Sequence, residues 1–300
     1  MRTKMKIAVV GLGSMGFGMA NSLIRQGHDV WGHDINAKRV GDLENAGGKG
    51  AIAAADPTQF QAVVVVVLNA QQTRDVLFGN DGLAQRLAKG TVIISCATVS
   101  PDFAREMEQA CADKGLLYLD SPISGGSLRA ATGELTIMAS GTDQAFDAAQ
   151  PALDAMAQSV FRLGDGAGPG SAMKSVNQML VGIHIAALAE AMTFGISQGV
   201  SPKQFMDVIS HSAGNSWIVG NRGPHIVDGD YTPRSVVNIW PKDLGIVLDI
   251  AKGANFSAPL TATALQQFVA AAGQGMGWDD DAAVAKVYAR NAGITLPGDA

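Results

Sequence analysis

Apolar positions in the first half of the chain come in short runs rich in Val, Ile and Leu, separated by stretches with helical spacing. The runs predict strands at residues 6–10, 29–33, 62–68, 92–94, 116–119 and 135–139. Helices are predicted between most of them, near residues 16–26, 37–46, 73–78 and 101–114. Residues 159–163 suggest a last edge strand. The run from Val63 to Leu68 is apolar at every position, the pattern of a strand buried on both faces. Strands alternating with helices in this way imply a doubly wound α/β domain with a parallel sheet.

The pattern changes at Gly164-Asp165-Gly166-Ala167-Gly168-Pro169-Gly170, a cluster that helices and strands both avoid. This places a domain boundary there, with residues 1–165 forming the α/β domain and 166–300 an all-helical one. A long interdomain helix is predicted over residues 171–198, about 40 Å long. It is apolar nearly all round between Met179 and Ala189, which predicts central burial and an oligomer interface, a homodimer or a homotetramer. His184 and Glu190 interrupt it, so it does not read as a membrane span. The start, Met1-Arg2-Thr3-Lys4-Met5-Lys6, is basic like a signal peptide, but the apolar run behind it is short and broken by Gly11 and Gly13.

Composition narrows the partners. Of 300 residues, 47% are hydrophobic and 16% charged, and the net charge is −5, so the chain can build large cores and lacks the basic excess of a nucleic-acid binder. Two cysteines, Cys96 and Cys111, make no disulfide framework and suggest reduced thiols in the cytoplasm. No Cys, His and carboxylate cluster has metal-ligand spacing. The expected partner is a small molecule.

Three features carry chemistry. Gly11-Leu12-Gly13-Ser14-Met15-Gly16 follows a predicted strand and opens a predicted helix. The first glycine permits the tight turn, the second lets backbone approach a pyrophosphate, and the third lets helix and strand pack closely. Asp34 lies eighteen residues beyond Gly16, at the next strand's end, where a carboxylate accepts from ribose hydroxyls and repels a 2′-phosphate. This is a Rossmann-type fingerprint and favours NAD over NADP, although Lys38 and Arg39 stand nearby and Asp34 can also be read as a helix cap.

Asp120-Ser121-Pro122-Ile123-Ser124-Gly125-Gly126 follows another strand. Ser124 offers a hydroxyl, and Gly125 and Gly126 let backbone N–H groups approach an anion. A plain surface turn is the alternative. Lys174 lies one turn into the long helix, with Asn177 and Gln178 on the same face. By itself such a lysine reads as a solvated charge. Its apolar surroundings and the positive helix end would lower its pKa and suit it to exchange a proton with a substrate hydroxyl.

Together, Gly11–Gly16, Asp120–Gly126, Gly170-Ser171-Ala172-Met173-Lys174-Ser175-Val176-Asn177-Gln178 and Lys242-Asp243-Leu244 resemble, in order, the motifs of the β-hydroxyacid dehydrogenase family, which includes 3-hydroxyisobutyrate dehydrogenase and tartronate semialdehyde reductase. The resemblance implies that Lys174 is the general acid/base and that Ser124, Gly125 and Gly126 hold a substrate carboxylate. It implies that Leu68, Asn69, Thr98 and Lys242 lie against NAD, and that Asn177 or Gln178 binds substrate. The usual proline after the third strand is replaced by Asn69-Ala70. Further stretches, among them Gly182-Ile183-His184-Ile185-Ala186-Ala187 and Ala213-Gly214-Asn215-Ser216-Trp217, are most similar to the L-threonate dehydrogenase branch. That branch implies oxidation of a sugar-acid 2-hydroxyl. Asn215, Ser212, His211 and Arg222 are then candidate partners for the extra hydroxyls, or helix-end and packing residues. A dinucleotide-binding sensor without catalysis is the alternative of another class. The presence of Lys174 argues against it.

Overall fold

Five strands, β1 (Lys6–Val10), β2 (Asp29–His33), β3 (Ala62–Val65), β4 (Val92–Ser95) and β5 (Leu117–Asp120), form a parallel sheet in the order β2-β1-β3-β4-β5. The structure is a computed structural model that describes residues 4–50, 52 and 55–298. Met1, Arg2 and Thr3 of the basic start lie outside the described residues. Two compact units divide the chain, Met1–Lys174 and Ser175–Ala300.

Alternation along the strands sets the two faces of the sheet. Ile7, Val9, Val64, Ile94 and Leu119 enter one core with Met19 and Leu23 of helix α1 (Gly16–Arg25). Ala8, Val10, Val63, Val65 and Ile93 enter the other, with residues of the helices that follow α2 (Ala37–Asn45). These are Leu77 of α3 (Ala70–Phe78) and Phe103 and Met107 of α4 (Pro101–Ala112). Both faces are dry, which explains the unbroken apolar runs. Each fully buried Val, Leu or Ile contributes roughly 1.5–3 kcal/mol.

The rest of the first unit departs from one continuous sheet. Residues 66–69 leave the sheet, so β3 is shorter than the apolar run that predicts it. Beyond β5 the chain forms β6 (Ile123–Ser124), α5 (Gly126–Thr132), β7 (Leu135–Ala139), α6 (Asp143–Met156) and β8 (Ala157–Arg162). These strands make a separate sheet, β6-β7-β8, in which β6 and β7 are antiparallel. Two reciprocal backbone hydrogen bonds between Asp120 and Ser140 join β5 to the end of β7.

Helix α7 (Pro169–Ser197) runs across the boundary between the units. The second unit adds α8 (Pro202–Ile209), α9 (Trp217–Asp228), α10 (Ile239–Gly253), α11 (Pro259–Ala271) and α12 (Ala285–Ala292). Its core gathers Ile185, Leu188 and Met192 of α7, Ile218 and Ile226 of α9, Leu244 of α10 and Phe268 of α11. The rings of Trp240 and Phe268 stack with centroids 5.4 Å apart. Within the Met179–Ala189 stretch, Ile185, Ala186, Leu188 and Ala189 are buried, while other apolar positions of α7 are open. Met173, Val176, Leu180 and Phe194 are 44%, 52%, 51% and 66% exposed. By length and composition α7 would suffice to cross a membrane, with a mean hydropathy of 1.7.

Candidate active site

In a parallel sheet all strands end at one edge. Asp34 follows β2, the Gly11–Gly16 loop follows β1, Leu68 and Asn69 follow β3, Thr98 follows β4, and Asp120 ends β5. The chain reverses direction across the sheet between β1 and β3, the switch point where open α/β sheets bind ligands.

The glycine loop is shaped by close approach. Gly11 has φ +91°, and a Cβ there would stand 2.2 Å from the carbonyl oxygen of Val66. A Cβ on Gly16 would stand 1.8 Å from the carbonyl oxygen of Gly11. Neither position admits a side chain, so α1 starts directly against the strand exits. With no Cβ in the way, a dinucleotide pyrophosphate can approach the helix N-terminus, where the Phe17 N–H donates to the Gly13 carbonyl at 3.0 Å. Leu12 is buried beneath the loop, Gly13 and Met15 are partly covered, and Ser14 is exposed. Asp34 Oδ2 accepts from the Leu12 N–H at 2.7 Å, and Oδ1 accepts from the Asn36 N–H at 2.8 Å. Arg39 Nη1 is 3.5 Å from Oδ2. Each carboxylate oxygen keeps acceptor capacity for a ribose hydroxyl. Asp34 therefore ties the glycine loop to the end of β2.

Leu68 is 60% exposed, and its N–H donates to Gln72. Asn69 stands in place of the usual proline and caps α3 through its side chain, accepting from the Gln72 N–H at 2.9 Å. Thr98 is half-buried in the loop between β4 and α4.

Ser124 is the last residue of β6. Gly125 (φ +134°) and Gly126 (φ +76°) follow as the first turn of α5 begins. Two consecutive positive φ values turn the backbone as L-residues rarely do, leaving the amides there uncovered by a Cβ. Lys174 reaches the same strand: its Nζ donates to the Ile123 carbonyl at 2.8 Å, and the residue is only 8% exposed. The lysine is thus a buried amine held beside Ser124, not a solvated surface group.

A buried carboxylate that the sequence reading passed over anchors that arrangement. Asp120 Oδ2 accepts from the N–H groups of Gly168 (3.0 Å) and Ser171 (2.8 Å), and Oδ1 accepts from Ser171 Oγ (2.7 Å). Ser140 Oγ accepts from the Gly170 N–H at 2.9 Å. The first turn of α7, whose N–H groups have no partner within the helix, is therefore capped from the sheet. Burial pushes the Asp120 carboxyl above its ordinary range, while these hydrogen bonds pull it back.

In the second unit, Asn177 Nδ2 donates to Gln178 Oε1 at 3.0 Å, and Gln178 Nε2 donates to Asp243 Oδ2. Lys242 Nζ lies 2.5 Å from Asp243 Oδ1. Lys174, Asn177 and Gln178 share one helix at spacings of three and four residues. The proposed hydroxyl partners fare differently. Arg222 is locked in a forked ion pair with the fully buried Asp281, which removes it as a candidate substrate ligand. His211, Ser212 and Asn215 are bonded to backbone carbonyls at the end of α8. Asn215 also lines a cleft of about 350 Å³ with Ser210, Ser216, Trp217, Gly220 and Asn221.

Comparison with known proteins decides the family. Residues 6–164 match the NAD binding domain of 6-phosphogluconate dehydrogenase, and residues 168–288 match the NAD-binding domain of NADP-dependent 3-hydroxyisobutyrate dehydrogenase. The chain belongs to the 3-hydroxyisobutyrate dehydrogenase family. Within it, the chain is 48% identical over 298 residues to an L-threonate dehydrogenase of Cupriavidus necator, covering 98% of each chain. It is 46% identical to an L-threonate dehydrogenase of Escherichia coli K12, covering 97% of this chain and 96% of the relative. A crystal structure described as 3-hydroxyisobutyrate dehydrogenase from Salmonella typhimurium superposes with a TM-score of 0.89 at 45% identity, covering 95% of this chain and all of that one. The chain is thus an NAD-dependent hydroxyacid dehydrogenase with a Rossmann-type first domain.

Proposed function

We propose that the chain oxidises the 2-hydroxyl of L-threonate to give 2-oxo-L-threonate. The observation that carries the substrate is the likeness, over nearly the whole chain, to L-threonate dehydrogenases. NAD, when bound on the Gly11–Gly16 loop, supplies the hydride acceptor.

The chain's own residues do the rest. Asp34 accepts from the ribose hydroxyls and disfavours a 2′-phosphate. Leu68, Asn69, Thr98 and Lys242 contact the cofactor. Ser124 Oγ and the N–H groups of Gly125 and Gly126 hold the substrate carboxylate. Lys174 Nζ, already donating to the Ile123 carbonyl, lies beside that carboxylate position and takes the proton of the 2-hydroxyl. In the reverse direction it returns that proton to the carbonyl oxygen. Its burial keeps bulk water from competing for the proton. Asn177 or Gln178 binds a substrate hydroxyl.

The exposed apolar stripe of Met173, Val176, Leu180 and Phe194 on α7 supports assembly as a homodimer or homotetramer. Two buried thiols with no disulfide fit a cytoplasmic enzyme. Incubation with L-threonate and NAD tests the function: NADH should form in step with a 2-oxo acid identified by NMR. Formation of a 3-oxo acid, or of no NADH, would overturn it.

A further inference from the structure

Gly18, Ser22 and Arg25 stand at spacings of four and three along α1, so they share one face of that helix. This face meets the C-terminal end of α5. Gly18 permits the close approach: a Cβ there would stand 2.8 Å from the Ala131 nitrogen and 2.9 Å from the Ala130 carbonyl carbon. Ser22 Oγ donates to the Ala130 carbonyl at 2.9 Å. Arg25 Nη2 donates to the Ala131 carbonyl at 2.6 Å and to Ser22 Oγ at 2.9 Å. Ser22 and Ala130 are both buried.

These contacts answer a need of α5. Its seven residues make barely two turns, too few for a helix to stand on its own hydrogen bonds. The last carbonyls of a helix have no partner within it. In α5 the Arg129 carbonyl accepts from the N–H of Gly133, the left-handed cap, and the next two carbonyls accept from α1. Arg25 also brings a cation to the negative end of the helix dipole. Ala130 is four residues from Gly126, about 6 Å along the helix. Between them, Arg129 packs back on the turn, its Cδ 3.0 Å from where a Cβ on Gly125 would stand.

We propose that Ser22 and Arg25 are positioning residues: by capping α5 they hold the Ser124-Gly125-Gly126 turn in the shape that receives the substrate carboxylate. The helix that begins at the cofactor loop thereby also fixes the substrate turn. Neither residue touches substrate. This rests on the reading that the turn holds the carboxylate.

Full-length Arg25→Ala tests it, with NAD and whichever hydroxy acid the wild type oxidises best. Arg25 is exposed, so its loss leaves the core intact. KM for the hydroxy acid should rise about fivefold, the worth of one hydrogen bond, with NAD affinity unchanged. Arg25→Lys, which keeps a cationic donor there, should recover most of the loss. Gly18→Ala, which forces the two helices apart, should raise the same KM by at least as much. A lowered melting temperature with unchanged KM in both alanine variants would show a purely structural contact and overturn the proposal. Equal weakening of NAD and hydroxy acid in Arg25→Ala would show that α1 itself had shifted, and would overturn it as well. Ser124→Ala separates the proposal from the reading beneath it. If Ser124→Ala raises KM and Arg25→Ala does not, the capping role alone is wrong. If neither does, the carboxylate reading fails and the proposal fails with it.

Discussion

The carboxylate of Asp120 takes both the backbone N–H and the hydroxyl of Ser171, at 2.8 and 2.7 Å. This fixes the first turn of α7 to the end of β5, and Lys174 lies three residues further on. Asp120→Asn replaces an acceptor with a group that is half donor and faces N–H groups with it. A buried donor left without a partner costs about 1–3 kcal/mol. The expected outcome is a lower unfolding midpoint in urea, together with a larger fall in kcat than in NAD affinity. A variant with wild-type stability and turnover would show that the cap does not place the lysine.

Lys174→Ala removes the group proposed to take the hydroxyl proton. General acid/base catalysis contributes about 10²–10⁴-fold, and turnover should fall by that order. NAD binding, measured by titration, should persist, because the Gly11–Gly16 loop and Asp34 lie on other elements. Near-normal turnover would contradict the lysine's role.

Asp34 meets two needs with one carboxylate. Asp34→Ala should narrow the preference for NAD over NADP, since the repulsion of a 2′-phosphate disappears and Arg39 is released from it. It should also weaken binding of both cofactors, because the Leu12 N–H loses its partner. Steady-state KM values for the two cofactors check both. An unchanged preference would count against the ribose role.

In the second unit, Asp280 is fully buried and bonded to His225 Nδ1 at 2.8 Å and to the N–H groups of Ala282 and Arg234 at 3.2 Å each. Burial pushes its carboxyl up, but the hydrogen bonds from His225 and Ala282 and the charge of Arg222 outweigh this, and its pKa is lowered from 3.8. A carboxyl with a lowered folded pKa stabilises the fold above its unfolded value and ceases to do so as pH falls through the folded one. Thermal unfolding followed downward from about pH 5 should show a steep acid limb that Asp280→Asn flattens. An acid limb of equal slope in the variant would place the acid sensitivity elsewhere.

Much of this was legible in the sequence because it depends on local pattern. The parallel sheet follows from fully apolar strands, and the glycine loop from spacing that backbone contact demands. What escaped was what depends on distant residues. Periodicity does not show that Val66, Val67 and Leu68 leave the sheet, since their apolar character continues that of β3. Helix α6 was passed over although Thr142 caps it through the Ala145 N–H, a signal available beforehand. The apolar run of α7 does not show which of its positions face the core and which stay open, as Met173, Val176, Leu180 and Phe194 do. Gln178 and Asp243 are 65 residues apart, and Asp120 and Ser171 are 51 apart. Nothing in local spacing announces either pair. Arg222 reads as a candidate partner for a substrate hydroxyl or as a packing residue, and its partner Asp281 lies 59 residues on.

The substrate is tested most directly by kcat/KM for NAD-dependent oxidation of L-threonate, 3-hydroxyisobutyrate and L-serine, measured side by side. The account predicts that L-threonate leads the other two by at least about tenfold, the worth of one well-placed hydrogen bond. Faster turnover of 3-hydroxyisobutyrate, with L-threonate inert, would contradict it.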